Sequence, residues 1–288
     1  MYKKIRLIRM IVACAVFIVL SYGLAFGITT VFESMQLVPA IIVGSVVWLP
    51  FWAVVTLLVG RIYCSTVCPL GTIQDLASRI GMAIRRHRVL HRHGRASAAD
   101  LGYHYSEPRR HVRAIVFTAI FVLSIIGVTA ALTILDPFDI YRRALGVSPS
   151  TSGIASTVMV QILSLTFVLF VAAVASRRGR LMCNTICPIG TLLGCASPYA
   201  VYNIDINTDK CIGCGECERV CRAECINPSS HKVDTSRCIL CFDCTSVCPG
   251  DAITLRRGKH KLSMPMLQSI TPTLKTDVSS SKDDAAKI

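Results

Sequence analysis

Charge is scarce in this chain, and acidic charge scarcest. Only 17% of its 288 residues are Asp, Glu, Lys or Arg, with 17 acidic against 31 basic. With 52% hydrophobic residues and a mean hydropathy of +0.54, the balance points to a bilayer rather than to water. Several chemistries are missing too. No C-x-x-C-H stretch occurs, which argues against covalent c-type haem. The histidines, at 87, 91, 93, 104, 111, 231 and 260, all lie outside the long apolar runs, which argues against bis-histidine haem within a membrane. Neither a Walker phosphate loop nor a dinucleotide-binding glycine pattern is present. The net charge of +14 would suit nucleic acid only if gathered on a soluble face; here it flanks apolar segments, so no nucleic-acid partner is expected.

What the sequence has is apolar length. Segments 11–30, 38–59, 114–135 and 154–176 carry no internal charge and each reaches roughly 20 residues, enough to cross a hydrocarbon core as a helix. Lys and Arg beside these segments number seventeen on one side and two on the other, the pair being Arg142 and Arg143. The positive-inside rule then places both termini in the cytoplasm, with the apolar segments in contact with membrane lipid. The resulting fold class is an α-helical membrane protein with four transmembrane helices in two hairpins, followed by a small α+β domain. The domains are 1–200 in the membrane, with a basic cytoplasmic loop 60–113, then 201–255, then a disordered tail 256–288. RRHRVLHRHGR at 85–95 reads as a positive, partly disordered topology determinant. Cys14 and the tryptophans at 48 and 52 read as packing or lipid-facing residues.

The hairpins are an internal repeat. GRIYCSTVCPLGTIQDLAS at 60–78 aligns without gaps to GRLMCNTICPIGTLLGCAS at 179–197, an offset of 119 residues. Duplicated membrane halves commonly form a site where they meet. Cys195 stands opposite Leu76 in this alignment, so it reads as an apolar packing residue.

Fifteen cysteines are far above ordinary use, and nine of them fall between Cys211 and Cys248. CIGCGECERVC supplies Cys211, Cys214, Cys217 and Cys221; CILCFDCTSVCP supplies Cys238, Cys241, Cys244 and Cys248. Two runs of C-x2-C-x2-C-x3-C are the bacterial two-cluster ferredoxin pattern, in which the fourth cysteine of each run crosses to the other cluster. The expected ligand sets are Cys211, Cys214, Cys217 and Cys248 for one 4Fe–4S cluster, and Cys221, Cys238, Cys241 and Cys244 for the other. Structural zinc is the alternative for paired C-x-x-C motifs, but the fourfold rhythm, twice, favours clusters. Arg222 stands where a proline usually follows the fourth cysteine. Cys225, opposite Ala252, reads as a small buried residue ahead of an alternative ligand.

CSTVCP at 64–69 and CNTICP at 183–188 echo CTSVCP at 244–249. If helical, each pair points two thiols the same way. Cys64, Cys68, Cys183 and Cys187 together would complete one additional cluster; redox-active thiol pairs and simple packing are the alternatives.

With four apolar segments, the motifs Cys64/Cys68/Pro69 and Cys183/Cys187/Pro188 and a C-terminal two-cluster ferredoxin, the chain resembles the NapH/MauN-type membrane-bound ferredoxins, from the first apolar segment to Ile253. Related domains occur in regulators associated with nitrous-oxide respiration. The resemblance implies an inner-membrane electron-transfer component, often associated with quinol oxidation and a periplasmic reductase. The reading is a carrier exchanging electrons between quinone or another electron-transfer subunit and its own clusters, not a stand-alone enzyme. A redox-sensing or metalloenzyme-maturation factor is the alternative. Clusters on the cytoplasmic side would need a quinone or a partner to cover the roughly 30 Å apolar core. Two finer expectations follow. The ferredoxin domain, with eight acidic and five basic residues in 201–255, docks by charge on loop 60–113, which has ten basic and three acidic. In DPFDIYRR at 136–143, Asp136 or Asp139 could accept a quinol proton, against the stronger reading of Asp-Pro as a turn and Tyr141 and Arg142 as interface anchors.

Overall fold

The computed structural model describes residues 2–26, 35–38, 47–91, 102–107, 110–125, 136–147 and 154–257. The expected tail beyond residue 257 and residues 92–95 of the basic stretch lie outside them.

The first part is helical. Its elements are α1 (Tyr2–Ala25), α2 (Trp48–Val59), α3 (Tyr63–Thr66), α4 (Pro69–His91), α5 (Arg110–Ile125), α6 (Pro137–Ala144), α7 (Ile154–Arg178), α8 (Leu181–Thr185) and α9 (Pro188–Ala196). Among the described residues two helices are long and apolar enough to cross a membrane, Tyr2–Ala25 and Thr157–Arg178. Only 28% and 17% of their apolar windows are buried, which is not how the core helix of a water-soluble fold is used. Ile11, Ile18, Leu163 and Phe170 all point outward from these helices. Trp48–Val59 and His111–Leu123 are shorter apolar helices. The rest of the second and third expected spans, 39–46 and 126–135, lies outside the described residues.

Residues 35–38 pack beside α2 and α3: the Leu37 amide donates to the Tyr63 hydroxyl at 3.3 Å, and Trp52 Nε1 donates to the Met35 carbonyl at 2.9 Å. A buried phenol and a buried indole N–H each need a partner, and 35–38 supply them. Segment 136–143, expected as a turn with interface anchors, is part of the core. Its helix α6 is capped by Asp136, whose carboxylate accepts from the Phe138 amide, with Pro137 at the first turn. Phe138 and Tyr141 pack with Leu20 and Leu24 of α1, and Ile140 packs with Cys64 and Cys68.

The described residues of loop 60–113 are largely helical. Residues 85–91 of the expected disordered stretch extend α4; Arg85 donates to the Arg177 carbonyl, and its guanidinium stacks 5.6 Å over Tyr103. Gly81 allows the close crossing of α4 and α7, since a Cβ there would lie 2.2 Å from the Ser176 carbonyl oxygen.

The second part folds around two short ladders. Strand β1 (Tyr202–Ile206) pairs antiparallel with β4 (Ile253–Arg257), from Tyr202↔Arg257 to Ile206↔Ile253, and β2 (Ile226–Asn227) with β3 (Lys232–Val233). Between them lie α10 (Glu216–Arg219) and α11 (Asp243–Val247). The two cysteine runs follow the same backbone path 27 residues apart. Gly213 and Leu240, Gly215 and Phe242, and Glu224 and Asp251 all have positive φ. Leu240 and Phe242 hold this conformation without the freedom of glycine, the kind of strain that collects at functional sites.

Candidate functional site

In the second part, Cys211, Cys214, Cys217 and Cys248 line one cavity, closed by Ile206 and Ile253. Its floor is apolar, and Cys248 Sγ accepts a hydrogen bond from the Ala252 amide at 3.3 Å. Cys221, Cys225 and Cys244 are buried in an apolar cluster with Ile204, Ile226 and Phe242, and Cys238 packs against it. Cys244 lies within electrostatic reach of Cys241, Cys221, Cys238 and Cys217. The two expected ligand sets are thus each brought together, crossed between the runs, and adjacent. The cavity, the crossed cysteines and the left-handed turns fit a cubane in the first set, and the second set repeats the crossed cysteines and the turns. Among the described residues no three His, Cys, Asp or Glu side chains gather around a single ion; a cubane is bulkier and its thiolates stand around a larger group.

The four CxxxCP cysteines also converge. Cys64, Cys68, Cys183 and Cys187 are all buried, and Cys64, Cys68 and Cys187 share one apolar cluster. Cys183 donates to Gln74 Oε1 at 3.4 Å, and Cys68 lies within electrostatic reach of the other three. Local chemistry explains the dipeptide Cys-Pro. Cys187 is the N-cap of α9, its sulfur accepting from the Gly190 amide at 3.4 Å, and Pro188 takes the first helical position, where no N–H is needed. Pro69 starts α4 in the same way. Both helix N-termini therefore aim at the thiols, a favourable setting for negative charge. Gln74 is fully buried, and its Nε2 has no hydrogen-bond partner among the described residues. A donor left over beside four thiols fits an anionic group bound there.

Sequence reasoning missed the pair that sets this geometry. Arg61 donates to the Cys183 carbonyl at 3.2 Å, and Arg180 donates to the Cys64 carbonyl. Each copy of the repeat thus clasps the cysteine of the other. Both guanidiniums have no exposed surface. Gly71 and Gly190 make room, since a Cβ at either would lie 2.3 Å from the Cys64 oxygen or 2.1 Å from the Cys183 oxygen. All four residues are identical between the aligned copies, and that identity was the available signal.

The second ferredoxin run reaches this core. Ile239 is buried in the same cluster as Cys64, Cys68 and Cys187, and Cys241 packs against it. A charge network holds the contact. Asp75 pairs with Arg180 at 2.8 Å, Arg222 at 3.1 Å and Arg9 at 3.7 Å; Asp243 pairs with Arg222, with Arg6 at 2.7 Å and with Arg79 at 3.5 Å. Burial raises the Asp75 pKa, but Arg180, Arg222 and Arg9 outweigh it and hold it below the usual carboxylate value. Burial lowers the Arg79 pKa to about 10, with Arg222 adding to the shift. Arg222, the residue in place of proline, is therefore a docking residue.

Other expected positions stay apart. Cys14 and Cys195 are exposed rather than packed inside, as is Leu76, the repeat counterpart of Cys195. Asp139 pairs with Arg142 at 2.9 Å and with Arg143, and the Tyr141 hydroxyl bonds Ser21 Oγ at 2.8 Å, bonds that suit capping and anchoring. Burial pushes the Asp136 carboxyl up to about 7.

Comparison with known proteins agrees with this geometry. A 4Fe-4S binding domain family matches residues 41–89 and 160–199, which hold both CxxxCP motifs, and a second 4Fe-4S binding domain family matches 204–227. The ferredoxin-type protein MauN of methylamine utilization in Methylobacillus flagellatus is 26% identical over 196 residues, covering 68% of this chain and 59% of MauN. YccM of Escherichia coli K12, named for electron transport, is 24% identical over 64% of this chain and 47% of its own length. An uncharacterized protein of Methanocaldococcus jannaschii is 23% identical over 58% of this chain and 54% of its own. The chain thus spans about half the length of the curated relatives it matches. No solved structure matches it significantly. Fold, cysteine sets and matches define a ferredoxin-type iron–sulfur protein. Within that class, the chain is similar to the NapH/MauN-type 4Fe–4S ferredoxins, through MauN and the two 4Fe-4S domain matches.

Proposed function

We propose that this chain is an inner-membrane electron-transfer protein that relays electrons between quinone, or another redox subunit, and its ferredoxin domain. The observation that carries the reading is the packing of Ile239 and Cys241 into the apolar cluster of Cys64, Cys68 and Cys187, which sets the second ferredoxin thiol group against the CxxxCP thiols. Cys211, Cys214, Cys217 and Cys248 would hold one 4Fe–4S cluster, Cys221, Cys238, Cys241 and Cys244 a second, and Cys64, Cys68, Cys183 and Cys187 a third. When bound, such clusters supply one-electron couples tuned by hydrogen bonds, charge and exposure. The protein's own residues do the rest: Arg61 and Arg180 fix the cysteine carbonyls, Leu70 and Ile189 exclude water, and Asp75, Arg222 and Asp243 keep the ferredoxin domain seated. The outward-facing apolar helices support a bilayer setting, and the uneven distribution of Lys and Arg beside the apolar segments supports cytoplasmic termini. The relatives' names, one of them referring to electron transport, support the activity.

Iron and acid-labile sulfide on anaerobically purified protein test the sites. Changing Cys64, Cys68, Cys183 and Cys187 to serine is expected to remove one cluster's worth of iron while both ferredoxin EPR signals persist. Unchanged iron in a folded variant ends the third site. Failure of any quinol or quinone analogue to reduce or oxidise the protein ends the quinone link.

A further inference from the structure

The second ferredoxin thiol set contains a fifth sulfur. Cys225 is 1% exposed, its Sγ lies 3.5 Å from Cys221 Sγ, and its thiol also meets that of Cys238. Both neighbours belong to the same expected ligand set. The duplicated run provides an internal control. The counterpart of Cys225 is Ala252, equally buried at 1%, which lines the cavity of Cys211, Cys214, Cys217 and Cys248. This fold position therefore borders the cluster site in both runs, with a methyl in one and a thiol in the other.

Either sulfur of the Cys221–Cys225 contact could donate in the free protein. A cysteine ligating iron is a thiolate and can only accept. Cys225, outside the four-cysteine set, keeps its proton and becomes the donor. We propose that Cys225 gives its S–H to the ligating sulfurs of Cys221 and Cys238, and so raises the reduction potential of the second cluster above that set by the alanine-lined surroundings of the first. Hydrogen bonds to ligand sulfur withdraw electron density and stabilise the reduced state. The proposal rests on the reading that Cys221, Cys238, Cys241 and Cys244 hold a cluster.

The test uses the full chain in detergent, purified without oxygen. Cys225→Ala recreates the Ala252 surroundings; Cys225→Ser keeps a donor of shorter reach. Iron, sulfide and an EPR-monitored redox titration are measured on each. The expected result for Cys225→Ala is full iron content and one ferredoxin signal moved to lower potential. A tenfold change in the reduction equilibrium would read as 59 mV for a one-electron couple. The other signal should stay put, and Cys225→Ser should retain part of the potential. Unmoved potentials in Cys225→Ala overturn the proposal, as does loss of a cluster's iron, which would make Cys225 a ligand. A wild-type protein with one ferredoxin signal would instead overturn the underlying reading.

Discussion

The two copies of the repeat, 60–78 and 179–197, share the CxxxCP cysteines, the clasping arginine and the glycine two residues past the proline, and differ in what surrounds them. In the first copy Asp75 stands where the second has Gly194, and Gln74 where the second has Leu193. Arg180 therefore meets a carboxylate, whereas Arg61 meets the neutral Asn184 Oδ1 at 2.9 Å and the Ser236 carbonyl at 3.0 Å. Gly194 has its own reason: a Cβ there would lie 2.2 Å from Arg113 and 2.8 Å from the Ser236 oxygen. Both copies touch the ferredoxin domain, one through charge and one through close approach. Duplication preserved the presentation of thiols and released other positions for docking.

The largest test of that comparison removes one copy's thiols at a time. If the copies share one cluster, Cys64→Ser with Cys68→Ser should lose as much iron as the fourfold variant. Cys183→Ser with Cys187→Ser should match it. Two losses that add, or one copy that does not matter, would show independent sites.

The arginines sharpen the comparison next. Arg180→Ala leaves Asp75 short of its nearest partner and should cost about 3 kcal/mol, the lower range for breaking a buried ion pair because Arg222 and Arg9 remain. Arg61→Ala removes charged hydrogen bonds to neutral acceptors and should cost about 2 kcal/mol. Chemical denaturation in detergent ranks the two, and an inverted ranking would mean that Asp75 serves the ferredoxin domain rather than the clasp.

Much of this was legible before any fold was known. The cysteine rhythm pointed to the thiol groups, crossed between the runs, that the fold brings together, because a repeated spacing of this kind is set by chemistry more tightly than packing sets it. The repeat alignment carried the convergence of the CxxxCP thiols. The path of the chain outside the motifs was not legible. Apolar length predicts a span, yet it could not say that 35–38 would lie beside Tyr63, since that depends on which buried N–H and O–H groups need partners. Charge counting suggested docking on loop 60–113 as a diffuse attraction. The contact is instead specific, made by Asp75 and Arg79 to Arg222 and Asp243 and by the Tyr105 amide to Glu218 at 2.7 Å. The run of positive charge at 85–91 resembled a disordered segment because helix propensity in Arg and Leu is carried by α4 only once it crosses α7.

The glycines should respond equally in the two copies. Gly71→Ala and Gly190→Ala each push a Cβ into the cysteine carbonyl that the opposite arginine holds. Each should cost about 1–3 kcal/mol by overpacking, with partial iron loss at the CxxxCP site and none in the ferredoxin domain. A large difference between them would place the symmetry in the sequence alone.

The smallest change within the physiological range is the pH dependence of Asp75, because its titration appears only in acid. Its folded pKa lies below the ordinary carboxylate value, held there by Arg180, Arg222 and Arg9 against the opposing push of burial. A depressed carboxylate contributes stability that is fully present above its unfolded pKa of about 3.9 and is lost as pH falls through the folded value. Wild-type protein should therefore hold its advantage over Asp75→Asn from neutral pH down to about pH 4 and lose it progressively below. The second copy, with Gly194 at the matching place, offers no such group, so the acid-sensitive difference is a signature of the first copy alone. Denaturation midpoints of both proteins across pH 3 to 7 measure it. A gap that stays constant into acid would mean that Asp75 acts through shape and neutral hydrogen bonding rather than through its charge.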